Sequence, residues 1–364
     1  MKIGILGTRG IPNTYGGFEQ FAEHFSEMAT MQGHEVYVYC SSLHAYQDSS
    51  FQGVNLIHCE DPENRLGTFG QFIYDRNCMN DARNRHFDIL LILGYTSSSV
   101  WMHRIPKGTI SISNMDGLEW KRGKYNTMVR LFLRQAEKWA AKKSDFLIAD
   151  SPAIQQYLQE KYKRKAACIA YGAEIYDSQD QTVLNEFELD KEAYSLVIAR
   201  SEPENNIHLI CDAYSLAATN KPLLIIGNFN NRYGKELKRL YQSQSIRFVG
   251  PVYDLDKLNA LRYYSWLYFH GHSVGGTNPS LLEAMASSAL ICAHDNIFNR
   301  SVLGSNAFYF FNRNDLLSIL RQQIEKKDYQ KFIANNRDRI RSEFSWERIT
   351  RQMIQLFENA RSHE

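Results

Sequence analysis

Short apolar runs alternate with amphipathic segments from one end of the chain to the other. The runs 2–6, 35–40, 55–58, 89–93, 109–113, 146–149 and 167–170 predict strands. Between them, 18–31, 69–83 and 128–142 carry apolar positions at helical spacing. The alternation then restarts. Strands are predicted at 194–199, 222–226, 246–249, 267–269, 289–292 and 307–310, with helices at 207–218, 235–242, 255–264 and 278–286 between them. The tail from Asp315 reads as helical, ending in a segment over 346–359. Such a strand–helix alternation is the signature of an open parallel sheet covered by helices. Two successive alternations predict two doubly wound α/β domains, and a ligand site in such a domain lies outside the carboxyl ends of its strands. The polar, acidic stretch 176–191 separates the two sets and reads as a hinge, so the domains are placed at 1–185 and 186–345.

A chain of 364 residues is the right length for two domains, at roughly 100–200 residues each. Its 42 Lys and Arg against 40 Asp and Glu give a net charge of +2, so no global field points to nucleic acid. The six cysteines are scattered and none forms a C-x-x-C pair. Neither a zinc site nor a disulfide framework is expected, and a reducing, cytoplasmic setting is. No apolar run approaches the ~18 residues of a membrane span, so an association with a membrane would be peripheral. Stretches mixing basic and aromatic residues, at 120–125 and 130–143, suit such a surface; an ordinary amphipathic helix would look the same.

Four segments carry candidate chemistry. The first, 7–19, follows the first strand and is rich in glycine without being G-x-G-x-x-G, and no acidic residue ends the second strand as a dinucleotide site would require. Gly16 and Gly17 allow close backbone approach beside a helix start, and Arg9, Asn13 and Tyr15 make the loop richer than a plain turn needs. The second, 271–283, leads from a strand through Gly275, Gly276, Thr277 and Asn278 into a helix with Pro279 in its first turn and Ser280 after it. Small residues feeding a helix start form an anion cradle, and Glu283, one turn in, can reach a ribose hydroxyl. A capped core helix with a solvated glutamate is the plainer alternative. The third is Arg200, directly after the first strand of the second domain, where it can pair with a diphosphate or simply be solvated. The fourth, 113–125, holds Asp116 and Glu119 as acid/base candidates and Arg122 and Lys124 as phosphate candidates; a charged loop before a helix is the alternative. His270 and His272 form a His-x-His with no carboxylate partner nearby, so no metal is expected.

Together these segments resemble the GT-B glycosyltransferases, specifically the retaining group called family 4. The segments 7–19, 114–124 and 272–285 resemble a bacterial subgroup that includes rhamnosyltransferases of capsule and O-antigen assembly. The resemblance implies two Rossmann-like domains facing a central cleft, an acceptor domain first and a nucleotide-sugar domain second, with the helix from about 346 to 364 packing back on the first. It implies metal-independent transfer with retention from a nucleoside diphosphate sugar, best dTDP-rhamnose, to a lipid-linked saccharide at the inner face of the plasma membrane, with no other cofactor. By the same resemblance Asp116 and Arg200 are catalytic. Gly16, Gly17, Arg200, Gly275, Gly276, Thr277, Asn278, Ser280 and Glu283 bind donor. Arg9, Tyr15, Glu119, Arg122 and Lys124 face the acceptor. Two positions depart from the family. It carries two glutamates eight apart; Glu283 fits the later, but Gly275 stands at the earlier, which contacts the donor sugar, so a 6-deoxy or less polar sugar is expected. It also places a lysine where Asn205 stands, so Arg9 or Arg122 is expected to supply the missing phosphate charge. A UDP-hexose or UDP-N-acetylhexosamine transferase, a sugar-nucleotide epimerase or hydrolase with Asp116 as water-activating base, and a non-catalytic sugar-nucleotide binder are the competing readings.

Overall fold

The computed structural model describes residues 1–14, 16–177, 180–217 and 219–362. The chain divides into two compact units, one of residues 1–121, 125–171 and 346–364, the other of residues 122–124 and 172–345.

The strands of the first unit are β1 (Lys2–Leu6), β2 (Glu35–Ser41), β3 (Ser50–Phe51), β4 (Val54–Cys59), β5 (Ile89–Leu93), β6 (Ile110–Asn114), β7 (Phe146–Ala149) and β8 (Ala167–Cys168). They form one sheet in the order β3-β4-β2-β1-β5-β6-β7-β8, parallel except for β3 against β4. Its helices are α1 (Gly17–Met31), α2 (Glu63–Leu66), α3 (Thr68–Ala82), α4 (Thr127–Lys143) and α5 (Pro152–Tyr162). Central β5, Ile-Leu-Leu-Ile-Leu, is buried at every position, as a parallel strand covered on both faces must be. Asn126 and Ser151 cap α4 and α5 by accepting from the N–H groups of Val129 and Ile154.

In the second unit lie α6 (Thr182–Glu186), β9 (Ser195–Ile198), α7 (Ile207–Ala217), β10 (Leu223–Ile226), α8 (Arg232–Tyr241), β11 (Ile246–Gly250), α9 (Leu255–Tyr264), β12 (Leu267–His270), α10 (Pro279–Ala286), β13 (Ile291–His294), α11 (Ile297–Leu303), β14 (Phe308–Phe310), α12 (Arg313–Leu320) and α13 (Gln330–Glu343). Its sheet is wholly parallel, in the order β11-β10-β9-β12-β13-β14. The last helix, α14 (Trp346–Ser362), belongs to the first unit. There Trp346 stacks on His24 with ring centroids 4.5 Å apart, and Phe357 meets Phe25 edge-on at 5.8 Å.

The expected boundary near residue 185 falls inside the second unit, which takes over after Tyr171. The stretch read as a hinge holds α6, whose Val183 and Leu184 are buried and which packs on α9. Its acidic composition hid two core residues.

Candidate functional site

Strand order places the sites. In the second sheet the order reverses between β9 and β12: β10 and β11 extend to one side, β13 and β14 to the other. The loops leaving the carboxyl ends of these two neighbours therefore flank a topological switch point, where open α/β sheets take ligands. The loop after β9 carries Arg200, and the loop after β12 carries residues 271–278.

These two loops are laced together. A Cβ on Gly271 would lie 2.0 Å from the Asn205 carbonyl oxygen, so only glycine fits. Asn206 Nδ2 donates to the Gly271 carbonyl (2.8 Å), and the Ser273 N–H and Oγ both donate to the Glu204 carbonyl (3.0 and 2.9 Å). From the other side, Asn296 and Asn299 each donate to the His272 carbonyl at 3.0 Å. Gly275 has φ +123°, a conformation that L side chains rarely adopt, and Thr277 is buried. Asn278 caps α10 by accepting the Ser280 N–H at 2.9 Å, with Pro279 in the first turn. Arg200 is exposed, and among the described residues its guanidinium has no hydrogen-bond or salt-bridge partner. It is a cation on one of two laced loops, the other of which leads into α10.

Beneath this surface sits a buried cation that the sequence did not betray. Arg262, 1% exposed, donates to Asn259 Oδ1 (2.7 Å), to Ser280 Oγ (3.2 Å) and to Glu283 Oε2. Glu283 is thus engaged on its inner side by a structural ion pair while keeping 16% of its side chain exposed. Tyr268 lies beside Ser280, hydroxyl to hydroxyl at 2.9 Å. Burial, followed by the nearby charges of Arg262 and His294, lowers the His270 imidazole to about 3. His272 is likewise pushed well below the usual range, by burial first and then by His270, Arg122 and Arg200. Both rings are neutral at pH 7.

In the first sheet the order reverses between β1 and β5. The glycine-rich loop after β1 lies at that switch point, pressed so close that a Cβ on Gly7 would fall 2.2 Å from the Leu93 carbonyl oxygen. Glu19 ties the loop to α1 by accepting the Arg9 N–H (2.9 Å). Gly16 caps α1 with extended backbone and Gly17 is its first residue. Tyr15 lies outside the described residues. The Arg9 guanidinium is taken up by Glu63, with which it forms paired bonds of 2.8 and 3.2 Å, and Gln71 donates to the same carboxylate. Arg9 is thus ion-paired with Glu63 while 31% of its side chain stays exposed.

Asp116 follows β6 with φ +44°, unusual for a non-glycine residue; such strain tends to collect at functional sites. Its N–H donates to Asn114 Oδ1 (3.0 Å), and its carboxylate accepts from the buried Tyr171 hydroxyl (3.3 Å). The Glu119 N–H donates to the Tyr95 hydroxyl at 3.3 Å. The adjoining Trp120 is anchored by Glu137, a buried carboxylate that accepts from Trp120 Nε1 (3.0 Å), Lys161 Nζ (2.9 Å) and the hydroxyls of Tyr157 and Tyr162 (2.7 and 2.6 Å). Arg122 and Lys124 fall in the second unit, where Lys124 Nζ lies 3.4 Å from Glu202. Among the described residues no group of three or more His, Cys, Asp or Glu is placed to hold a metal.

Comparison with known proteins agrees with this architecture. Residues 180–339 match the family model of glycosyl transferases group 1, and residues 1–174 match a domain of unknown function, DUF1972. The structure superimposes on a sucrose-phosphate synthase from Thermosynechococcus elongatus with a TM-score of 0.82 at 16% identity, covering all of both chains. It superimposes on HepE from Anabaena, solved with UDP and glucose, with a TM-score of 0.75 at 17% identity over 99% of this chain and 100% of that one. An α,α-trehalose 6-phosphate synthase from Burkholderia multivorans aligns with a TM-score of 0.73 at 10% identity, over 100% of this chain and 99% of that one. No curated protein matches by sequence. The parallel sheets and these neighbours show the GT-B fold, and the match of residues 180–339 to glycosyl transferases group 1 supports a glycosyltransferase. The matched residues 180–339 lie in its second unit.

Proposed function

We propose that the chain transfers a sugar from a nucleoside diphosphate donor to a lipid-linked saccharide, with retention and without a divalent ion, and that the favoured donor is dTDP-L-rhamnose. The observation that carries this reading is the pairing of an exposed Arg200 with the α10 start at the β9/β12 switch point, inside a domain that matches glycosyl transferases. Structural neighbours solved with UDP and with UDP-glucose support a nucleotide-sugar donor. In the reaction, the bond between the anomeric carbon and the β-phosphate oxygen breaks as the acceptor oxygen bonds to that carbon. The electron pair stays with the departing diphosphate, whose growing charge Arg200 and the α10 N–H groups offset. Asp116 is the group assigned to the acceptor proton, and the outward part of Glu283 is assigned to the ribose.

A lipid-linked acceptor calls for work at a membrane surface, and no helix among the described residues is long and apolar enough to cross one. Helix α4 supports peripheral contact. Met128 and Leu131 are 81% and 59% exposed at one end, Arg134, Lys138 and Lys142 follow on the exposed face, and its one acid, Glu137, is buried. Apolar side chains beside a basic row suit an anionic lipid surface.

The test is release of nucleoside diphosphate from a donor panel in EDTA, with and without a lipid-linked saccharide, and the anomeric configuration of the product. Acceptor-dependent release with retention supports the reading. Equal release from donor alone would make the protein a hydrolase, and release only on adding a divalent ion would remove the metal-independent step.

A further inference from the structure

The segment that follows β6 runs from Met115 to Trp120 without regular structure except a short turn at its end, yet it is held at both ends and in the middle. Asp116 takes φ +44°, a conformation that a non-glycine residue keeps only where its surroundings impose it. At the near end, Asn114 Oδ1 accepts the Asp116 N–H (3.0 Å) and the Tyr171 hydroxyl donates to the Asp116 carboxylate (3.3 Å). In the middle, the Tyr95 hydroxyl donates to the Gly117 carbonyl (3.4 Å) and accepts the Glu119 N–H (3.3 Å). At the far end, Trp120 Nε1 donates to Glu137 Oε2 (3.0 Å), while Arg134 and Lys161 lie over its ring, 4.3 and 5.4 Å from the centroid. All of these residues belong to the first unit. Glu137 divides its two oxygens. Oε1 accepts from Tyr157, Lys161 and Tyr162, all on α5, and that set alone joins α4 to α5. Oε2 accepts only from Trp120 among the described residues. A carboxylate 1% exposed thus gives one oxygen wholly to the loop, in surroundings where a charge-assisted bond is strong.

We propose that Glu137 is a positioning residue: through Trp120 it fixes the far end of the segment and, together with Tyr95, holds the Asp116 carboxylate in the one orientation from which it can take the acceptor proton. A left-handed residue relaxes by turning its two peptide planes, and anchors on either side of Asp116 prevent that turn. The proposal rests on the assignment of Asp116 to the acceptor proton, and its test separates the two.

Three variants of the intact protein provide the test. Trp120→Phe and Tyr95→Phe each remove one anchor of the segment, whereas Tyr157→Phe removes a donor to Glu137 that does not touch it. Hydrogen–deuterium exchange is read over residues 115–121. Nucleoside diphosphate release from dTDP-L-rhamnose and from UDP-glucose is read with an alkyl glucoside as the acceptor probe. Trp120→Phe is expected to exchange about tenfold faster over the segment and to lose about tenfold in kcat, the value of one charge-assisted hydrogen bond, with KM for the donor unchanged. Tyr95→Phe is expected to show the same split and covers the case in which Trp120→Phe does not fold. Tyr157→Phe is expected to keep wild-type exchange over the segment and wild-type kcat, even where its melting temperature falls. Equal effects in Trp120→Phe and Tyr157→Phe would make Glu137 merely structural and overturn the proposal, as would unchanged exchange in Trp120→Phe, or faster exchange with unchanged kcat. A wild type that releases no nucleoside diphosphate would instead overturn the transferase reading, and the exchange rates would then decide the proposal on their own.

Discussion

Replacing Glu283 by alanine is predicted to damage the fold as well as the chemistry. The reason is Arg262. Its guanidinium is 1% exposed and carries one full countercharge, Glu283, with Asn259 and Ser280 as neutral acceptors. Removing one partner of a buried ion pair leaves an uncompensated charge and costs about 3–5 kcal/mol. Glu283 keeps 16% exposure, so water can reach the gap, and the lower end, about 3 kcal/mol, applies. At roughly 2–4 °C per kcal/mol for a domain of this size, the melting temperature of Glu283→Ala should fall by about 6–12 °C. Glu283→Gln keeps an acceptor for Arg262 and should lose about half as much. The double variant Arg262→Met/Glu283→Leu, which removes the pair together, should recover most of the loss. Thermal denaturation without ligand, followed by calorimetry, measures all three. A Glu283→Ala protein that melts with the wild type, or a double variant no better than the single, would refute the argument. It follows that loss of activity in Glu283→Ala supports a ribose contact only when Glu283→Gln, closer to native stability, loses it too.

Three further outcomes are expected. His270, lowered to about 3 chiefly by burial, stays neutral in the fold but protonates near 6.5 when unfolded. Its contribution is therefore full above about pH 6.5 and is lost at about 1.4 kcal/mol per pH unit as pH falls; urea unfolding of His270→Leu should show a shallower acid loss than wild type, and an identical slope would contradict this. Asp75, buried on α3 and bonded by Ser97 at 2.6 Å, is raised to about 7, mainly by burial and further by Asp61, against Ser97 and Arg9. The folded state holds its proton over a range where the unfolded chain has lost it, so stability is lost as pH rises from about 4 to about 7 and the full penalty stands above that. Asp75→Asn should then gain on the order of 2 kcal/mol near pH 8 and nothing near pH 4 in the same assay. Lys138→Gln/Lys142→Gln should cut sedimentation with vesicles of equimolar phosphatidylcholine and phosphatidylglycerol by about thirtyfold, at roughly 1 kcal/mol per charge; wild type that ignores these vesicles would remove the α4 surface from the account.

The strands were readable because parallel strands buried on both faces are continuous apolar runs, as in β5 and β10. The two-residue β3 offers too little pattern to read. The segments around Arg200 and 271–283 were legible because a strand, small residues and a helix start follow one another locally. What stayed hidden is contact between distant positions. Arg9 with Glu63, Arg262 with Glu283 and Trp120 with Glu137 are separated by 54, 21 and 17 residues, and nothing local in the sequence marks Arg262 as buried. His270 ends β12 and His272 stands in the loop that follows, where its Nδ1 lies 2.8 Å from Asn205 Oδ1 of the loop after β9.

The loops after β9 and β12 are proposed to hold the diphosphate of a nucleotide sugar through Arg200 and the start of α10. The most direct test is calorimetric titration of dTDP and UDP, in EDTA, into wild type and Arg200→Ala. Arg200 is exposed, so its replacement should leave the melting temperature unchanged. The account predicts binding of at least one nucleoside diphosphate by wild type, and about tenfold or greater weakening in Arg200→Ala, the value of a charge-assisted hydrogen bond. Binding of neither nucleotide, or equal binding by both proteins, would contradict it.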